Sequence, residues 1–501
     1  MYTPELVQDY ILEIVSRSAA IKSQAQGLCS RDFASDAPTN LAKVIGKICD
    51  YLNTVTGRLY ASIDWTNPSN VTSNVQLLQF TDFFVRALGE NVQYIDNAQT
   101  FRLPWSLIPS MKKLVKDFLP DTEMILEPQW EYNYTIQTQS VYDTLVTLLR
   151  AYQTITPDIS VDELLDPLGT KNFRVVSFPS AERNNVLLHS LLGHEIGHLK
   201  AKGYFNDKRE QDLLQSVRGQ VAPIIDEAVK NGSISEDARP QETQAAIERI
   251  TTIWQRGLEE TLSDMMGCFF MGPAVLFANL EFALQDLNGL DTRPSEDTNF
   301  YPPWRMRLRN IFSTLSDLSM LPIPKQRLRS SNVFKAVNKR IELIKKVVDD
   351  QPDINEIKAN DHTRIAYAEI NKDVQNAKSL YKGEFKPFAT SDFYQRLTHL
   401  VRRLELGIPP NAWEVSVNKR VPATMVEIIN AAWFYRLSWA DTIIDANGKV
   451  QLDVHEKRSR MNRLTLKALE FAFVQEKYEQ DTTNKNMSLP AGSDVSEPLE
   501  K

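Results

Sequence analysis

The stretch between Pro179 and Gly203 constrains this chain more than any other. Val186, Leu187, Leu191, Leu192, Ile196 and Leu199 recur at three- and four-residue steps, the period of a helix with one buried face. Ser180 stands as N-cap, Glu182 lies in the first turn and Gly203 sits where a left-handed C-cap belongs, so a single helix is predicted from Ser180 to Lys202. Before it, Phe173–Phe178 is a short β-prone run ended by Pro179. The helix carries three of the chain's six histidines, His189, His194 and His198. A four-residue helical step turns ~400° and rises ~6 Å, so His194 and His198 project from one face, one turn apart. That spacing suits two nitrogen ligands ~2.0–2.1 Å from one zinc ion. Glu195 stands ~100° further round the helix, beside the metal, where its carboxylate can take a proton from a zinc-activated water. His189 is off the ligand face, and His362, His399 and His455 lack neighbours at ligand spacing.

A catalytic zinc wants three protein ligands and an open position. After Pro240 an apolar seam through Ile247, Ile250, Trp254, Leu258, Leu262 and Met265 predicts a second helix. It places Glu260 and Asp264 four apart on one face. Glu260 is expected as the oxygen ligand, and Asp264 as the acceptor for the outer N–H of a ligand histidine. Glu259 competes with Glu260; the face shared with Asp264 favours Glu260. The uncharged run Met265–Leu280 is shorter than the ~20 residues of a membrane span and contains Pro273 and Asn279, so it reads as a buried helix or helical pair.

Composition sets the class. Glycine, at 18 of 501 residues, is about half its usual ~7%, which predicts few tight turns and a mainly α fold. Residues 1–165 read as helical, with amphipathic runs near Pro4–Ser18, Leu41–Ile63 and Val75–Leu88 interrupted by Asn67-Pro68-Ser69-Asn70. The Pro-, Trp- and Tyr-rich stretch 104–134 is read as packing. Residues 166–320 form the expected core, with a charged helical insertion at 204–240 that turns at Asn231-Gly232-Ser233; 321–480 is a further helical region, including Ala423–Tyr435 and Leu464–Tyr478; 481–501 is expected to be a disordered tail. The formal charge of −7 and the lack of a basic tract argue against a nucleic-acid partner, and Lys457–Arg463 is read as a solvated helix start. Three scattered cysteines and an N-terminus without a basic and apolar leader point to a cytoplasmic, reducing setting.

His194-Glu-x-x-His198 with Glu260-x-x-x-Asp264 on a later helix resembles the gluzincin zinc metallopeptidases, the clan that includes thermolysin. Tyr301-Pro302-Pro303-Trp-Arg-Met-Arg307-Leu resembles the His-Pro-Pro segment and following arginine of the CAAX-prenyl endopeptidases and bacterial heat-shock membrane proteases. The resemblance covers roughly residues 170–320. It implies a gluzincin-like zinc-peptidase core of two antiparallel metal-binding helices beside a short strand or small sheet, embedded between helical regions. Phe173–Phe178 would be the strand whose edge holds an extended peptide. The implied site holds one zinc per chain on His194, His198 and Glu260, with Glu195 as general base. Tyr301, standing where that family commonly has histidine, would offer its hydroxyl to the oxyanion. Arg307 would pair with an active-site carboxylate or bind substrate. The implied activity is hydrolysis of peptide bonds in a peptide or protein substrate by a metal-activated water. Transmembrane helices are missing from the pattern, so membrane insertion is not expected. The competing reading is a zinc-stabilised helical scaffold or regulatory binding protein without turnover, and a third is an interaction protein with an accidental motif and no stoichiometric metal; the intact Glu195 favours the enzyme. The insertion at 204–240 and the helical flanks are where a cover over the cleft or a regulatory partner is expected.

Overall fold

The computed structural model describes residues 2–137, 139–205, 207–285, 302–349, 361–384, 390–416, 419–439 and 453–488. It is mainly helical, as the scarcity of glycine predicts. Helices α1 (Pro4–Leu28), α2 (Ala37–Ala61) and α3 (Pro68–Asn97) pack on one another. Asn67-Pro68-Ser69-Asn70 is the cap of α3: the Asn67 side chain accepts from the backbone N–H groups of Ser69 and Asn70, and Pro68 opens the first turn, where no N–H is needed.

After α4 (Leu107–Phe118) come β1 (Thr122–Gln129) and β2 (Thr135–Ile136), both in a stretch read as helical from sequence, then α5 (Val141–Arg150), α6 (Val161–Leu165) and β3 (Asn172–Pro179). The sheet order is β1-β3-β2. β1 runs parallel to β3, with Thr122 opposite Asn172 and Gln129 opposite Pro179, and β2 runs antiparallel, with Thr135 opposite Ser177. Phe173–Phe178 is therefore a strand, but a central one. β2 covers the side expected to be open, and a free edge belongs to β2. The Pro-, Trp- and Tyr-rich stretch divides likewise: Pro104, Leu107 and Ile108 are buried, whereas Trp130 is 97% and Tyr132 43% exposed.

The helix predicted from Ser180 to Lys202 is shorter. Ser180–Glu182 and Leu188–Leu191 are separate 3-10 turns, and α7 spans Leu192–Ala201. Asn185 closes the first of these on Glu182 through its backbone N–H to the carbonyl and its side-chain amide to the carboxylate, the local polar competition that delays a helix. Gly203 is not a left-handed cap. It lies in a 3-10 turn, Lys202–Tyr204, that carries the Tyr204 hydroxyl on to Asp373.

The charged insertion is α8 (Asp207–Lys230), followed by α9 (Arg239–Met271). Leu213, Val217, Val221 and Ile225 of α8 are buried, and the helix packs on α9 and on the helix Asp361–Glu384, to which Ser216 donates at Glu369. The inner face of the insertion is thus part of the core. The predicted seam of α9 is buried at all six positions. Gly272, at φ +60°, and Pro273 break the uncharged run into α9 and α10 (Ala274–Ala283). Among the described residues no helix is long and apolar enough to cross a membrane.

Helices α11 (Trp304–Asp317), α12 (Lys325–Ser330) and α13 (Asn332–Asp349) follow, then helices Asp361–Glu384, Thr390–Glu405, Met425–Ser438 and Asp453–Ser488. An unpredicted hairpin, β4 (Ala412–Ser416) with β5 (Lys419–Pro422), precedes the third of these. Met425–Ser438 starts on a capping box of Thr424 and Glu427. It plugs into the centre, its Asn430 donating to the Met271 carbonyl and its Trp433 indole to that of Leu187. The last helix runs through 481–488, into the segment read as a tail, because no glycine or proline stops it before Pro490; residues 489–501 lie outside the described part.

Candidate metal centre

Two helices that must approach closely need small residues at the crossing, and α7 and α9 have them. A Cβ on Gly197 would lie 2.8 Å from the Ser263 carbonyl oxygen and 2.9 Å from Met266 Cβ, and one on Gly193 2.8 Å from Met271 Cγ. This approach brings the predicted residues together. His194 Nε2 lies 3.4 Å from one Glu260 carboxylate oxygen and His198 Nε2 3.6 Å from the other. The two imidazoles are perpendicular, their centroids 4.9 Å apart. One ligand atom each of His194, Glu195 and His198 also falls within 4.8 Å of the others.

The outer nitrogens are held. His194 Nδ1–H donates to Asp264 Oδ1 at 2.9 Å, as expected, and His198 Nδ1–H donates to Glu259 Oε1 at 3.1 Å. Glu259, read from sequence as a rival ligand, is an orienting partner instead. Both bonds select the tautomer whose Nε2 lone pair faces Glu260. Behind the site Arg307, in the first turns of α11, forks onto Asp264 (2.7 and 2.9 Å), reaches Glu260 Oε2 at 3.5 Å and lies over the Trp304 ring at 4.4 Å. Arg307 therefore pairs with the carboxylates; Tyr301 lies outside the described residues.

The electrostatics follow from crowding acids and bases in a dry place. Burial alone would lower the His194 imidazole, but Asp264 and Glu260 outweigh it and push it up to about 10. Asp264 and Glu260 are held below their ordinary values, Arg307 and His194 overcoming the burial that would raise them. Glu195 is pushed up to about 7, chiefly by burial. Without another cation the site borrows a proton to reconcile two imidazole lone pairs with a carboxylate.

The donor set fits a metal. Donors ~2.0–2.1 Å from a tetrahedral zinc stand ~3.3–3.4 Å apart; His194 Nε2 stands 3.4 Å from Glu260 Oε2 and His198 Nε2 3.6 Å from Glu260 Oε1, so each imidazole is at that spacing from its own carboxylate oxygen. His198 and Glu260 keep 11% and 13% of their side-chain surface exposed, so neither side chain is sealed from solvent. Nitrogen, nitrogen and carboxylate oxygen are the ligands of a catalytic zinc rather than of a thiolate-rich structural one.

His189, read from the sequence as off the ligand face, meets a buried partner that the sequence did not point to, Tyr134. His189 is fully buried, its Nδ1 facing the Tyr134 hydroxyl at 3.2 Å and its Nε2 the Arg183 carbonyl at 3.2 Å. Burial pushes it down to about 4, so it is a neutral spacer between β2 and α7. No family model, curated protein or solved structure matches the chain.

Proposed function

We propose that this chain is a gluzincin-type zinc metallopeptidase that hydrolyses peptide bonds in peptide or protein substrates. The observation that carries the reading is the grouping of His194, His198 and the buried Glu195 within 4.8 Å, with the Glu260 carboxylate 3.4 and 3.6 Å from the two imidazoles. His194 Nε2, His198 Nε2 and a Glu260 carboxylate oxygen would hold one zinc per chain. When bound, the ion supplies Lewis acidity towards a peptide carbonyl and brings the pKa of a water down to about 7. Glu195, ionised once a cation pulls its raised pKa back down, accepts the proton of the attacking water. It then hands that proton to the departing amine nitrogen. Asp264 and Glu259 hold the imidazoles in register, and Arg307 keeps Asp264 ionised. The free edge of β2, which packs on α7, offers backbone groups to an extended peptide.

A structural site has no use for a general base, so Glu195 separates this reading from a zinc-stabilised scaffold. A Glu195→Gln protein should keep about one zinc per chain and lose about 10²–10⁴-fold in cleavage of unfolded fluorescent casein. Undiminished cleavage by that variant would overturn the mechanism.

A further inference from the structure

We propose that the exposed face of the last helix pairs antiparallel with the same face of a second copy of this chain, so that the protein forms a two-fold symmetric dimer. The inference is independent of the metal centre and of the peptidase reading. The helix Asp453–Ser488 buries Met461, Asn462, Thr465, Ala468, Leu469 and Ala472, and it packs on α4, β5 and the helix Met425–Ser438. Its other side carries a second apolar stripe, which is open: Phe471 is 41%, Val474 56% and Tyr478 71% exposed. Together with the exposed Lys467 and Asp481 these residues follow steps of four, three, four and three, the seam spacing of two helices that pack along their length. A surface helix needs one apolar stripe to hold it to its own chain, and a second one marks an interaction surface.

The charges on the stripe decide its occupant and the direction of pairing. Arg463 and Lys467 stand at its N-terminal end, Glu470 and Lys477 flank its centre on one side, and Asp481 closes it. At ~100° per residue Arg458, Glu476 and Glu479 point away from the stripe; Arg458 reaches Glu281, and Glu476 binds Lys113 of α4. Arg460, one turn before Arg463, lies against Gly407 and ends the open face. Within one copy Lys467 binds Glu470 at 2.9 Å and lies over the Phe471 ring at 4.9 Å, whereas Arg463, Lys477 and Asp481 have no ion pair among the described residues. With a two-fold axis between Phe471 and Val474, Phe471 of each copy meets Val474 of the other and Lys467 faces the Tyr478 ring. Glu470 then comes beside Lys477, and Arg463 beside Asp481. Parallel pairing would instead set Arg463 on Arg463 and Asp481 on Asp481, where like charges repel. The face is thus its own complement when reversed, the property of an isologous two-fold interface. From Arg463 to Asp481 the helix rises only about 27 Å, too little for the area of a permanent interface, so the dimer should be a weak one.

Sedimentation equilibrium of the full chain, without added metal and from about 0.5 to 100 μM, reads the mass directly. The 57.2 kDa chain should pass to twice that mass with a Kd of about 1–10 μM. Val474→Lys, which sets a charge against Phe471 of the other copy, should weaken the dimer by at least about tenfold and leave the circular dichroism unchanged. Charge exchange tests the direction. Arg463→Asp and Asp481→Arg should each weaken the dimer at least about fivefold. The double variant Arg463→Asp/Asp481→Arg should regain most of the loss, because the two positions are about 27 Å apart in one copy and meet only across an antiparallel pair. A chain that stays monomeric to about 100 μM overturns the inference and leaves the stripe to a different occupant. A dimer indifferent to Val474→Lys, or a double exchange no tighter than the single ones, overturns it as well.

Discussion

The same substitution, glycine to alanine, should have opposite effects at two positions, and the difference isolates the packing that sets the candidate metal centre. At Gly219, exposed in the middle of α8, an added Cβ meets nothing within 4 Å, so alanine should stabilise by about 1 kcal/mol through helix propensity. At Gly197 the same Cβ would lie 2.8 Å from a backbone oxygen and 3.0 Å from a Cα of Ser263. Ordinary contact between such atoms begins near ~3.5 Å, so α7 and α9 must separate by roughly 0.5 Å or more. Overpacking of this kind costs about 1–3 kcal/mol, which offsets the propensity gain and leaves a net loss of up to about 2 kcal/mol. The difference between the two variants, about 1–3 kcal/mol, is then the overpacking alone. Widening the 3.4 and 3.6 Å donor separations should also weaken zinc by about tenfold or more. Urea denaturation followed by circular dichroism reads the stability, and chelator competition reads the zinc affinity. If Gly197→Ala is as stabilising as Gly219→Ala and binds zinc normally, the close crossing does not position the ligands.

Two further consequences can be measured. Asp264→Asn turns one of the two acceptor oxygens that His194 and Arg307 share into an N–H donor and removes the negative charge that faces the buried Arg307; it should cost about 3–5 kcal/mol and about 10–100-fold in zinc affinity, and an effect confined to one of the two would refute the dual role. His189 is held neutral to about pH 4 in the folded chain but titrates near its ordinary 6.5 when unfolded. The unfolded state therefore binds the extra proton, and stability that is fully present above pH 6.5 is lost as pH falls towards 4, by about 3 kcal/mol. Urea midpoints of wild type and His189→Gln across pH 7 to 4 should diverge in their acid slope, and parallel curves would contradict the assignment.

The grouping of the candidate site residues was legible in the sequence because it is local: four-residue steps on a helix put His194 beside His198 and Glu260 beside Asp264 wherever those helices lie. Glu259 was weighed only as a rival to Glu260, and its bond to His198 could not be foreseen, because it needs the antiparallel register in which a step from His194 to His198 on α7 is answered by one from Asp264 back to Glu259 on α9. β1 was invisible for a related reason. Glu123-Met-Ile-Leu-Glu127 has little β-branched character, and its pairing with β3 lies fifty residues away. The start of α7 was misplaced because the apolar period continues through Val186 and Leu187, both buried in turns rather than in the helix. The close crossing at Gly193 and Gly197 was in plain view as two small residues four apart, but only the facing helix gives them meaning.

X-ray absorption at the zinc edge, on protein loaded with one equivalent of metal, reads the ligand shell itself. The account predicts tight binding of about one ion per chain, with two imidazole nitrogens and further light oxygen donors at ~2.0–2.1 Å, and loss of one imidazole in His198→Ala. A shell without imidazole, a sulfur donor, or a failure to bind stoichiometric zinc would contradict it.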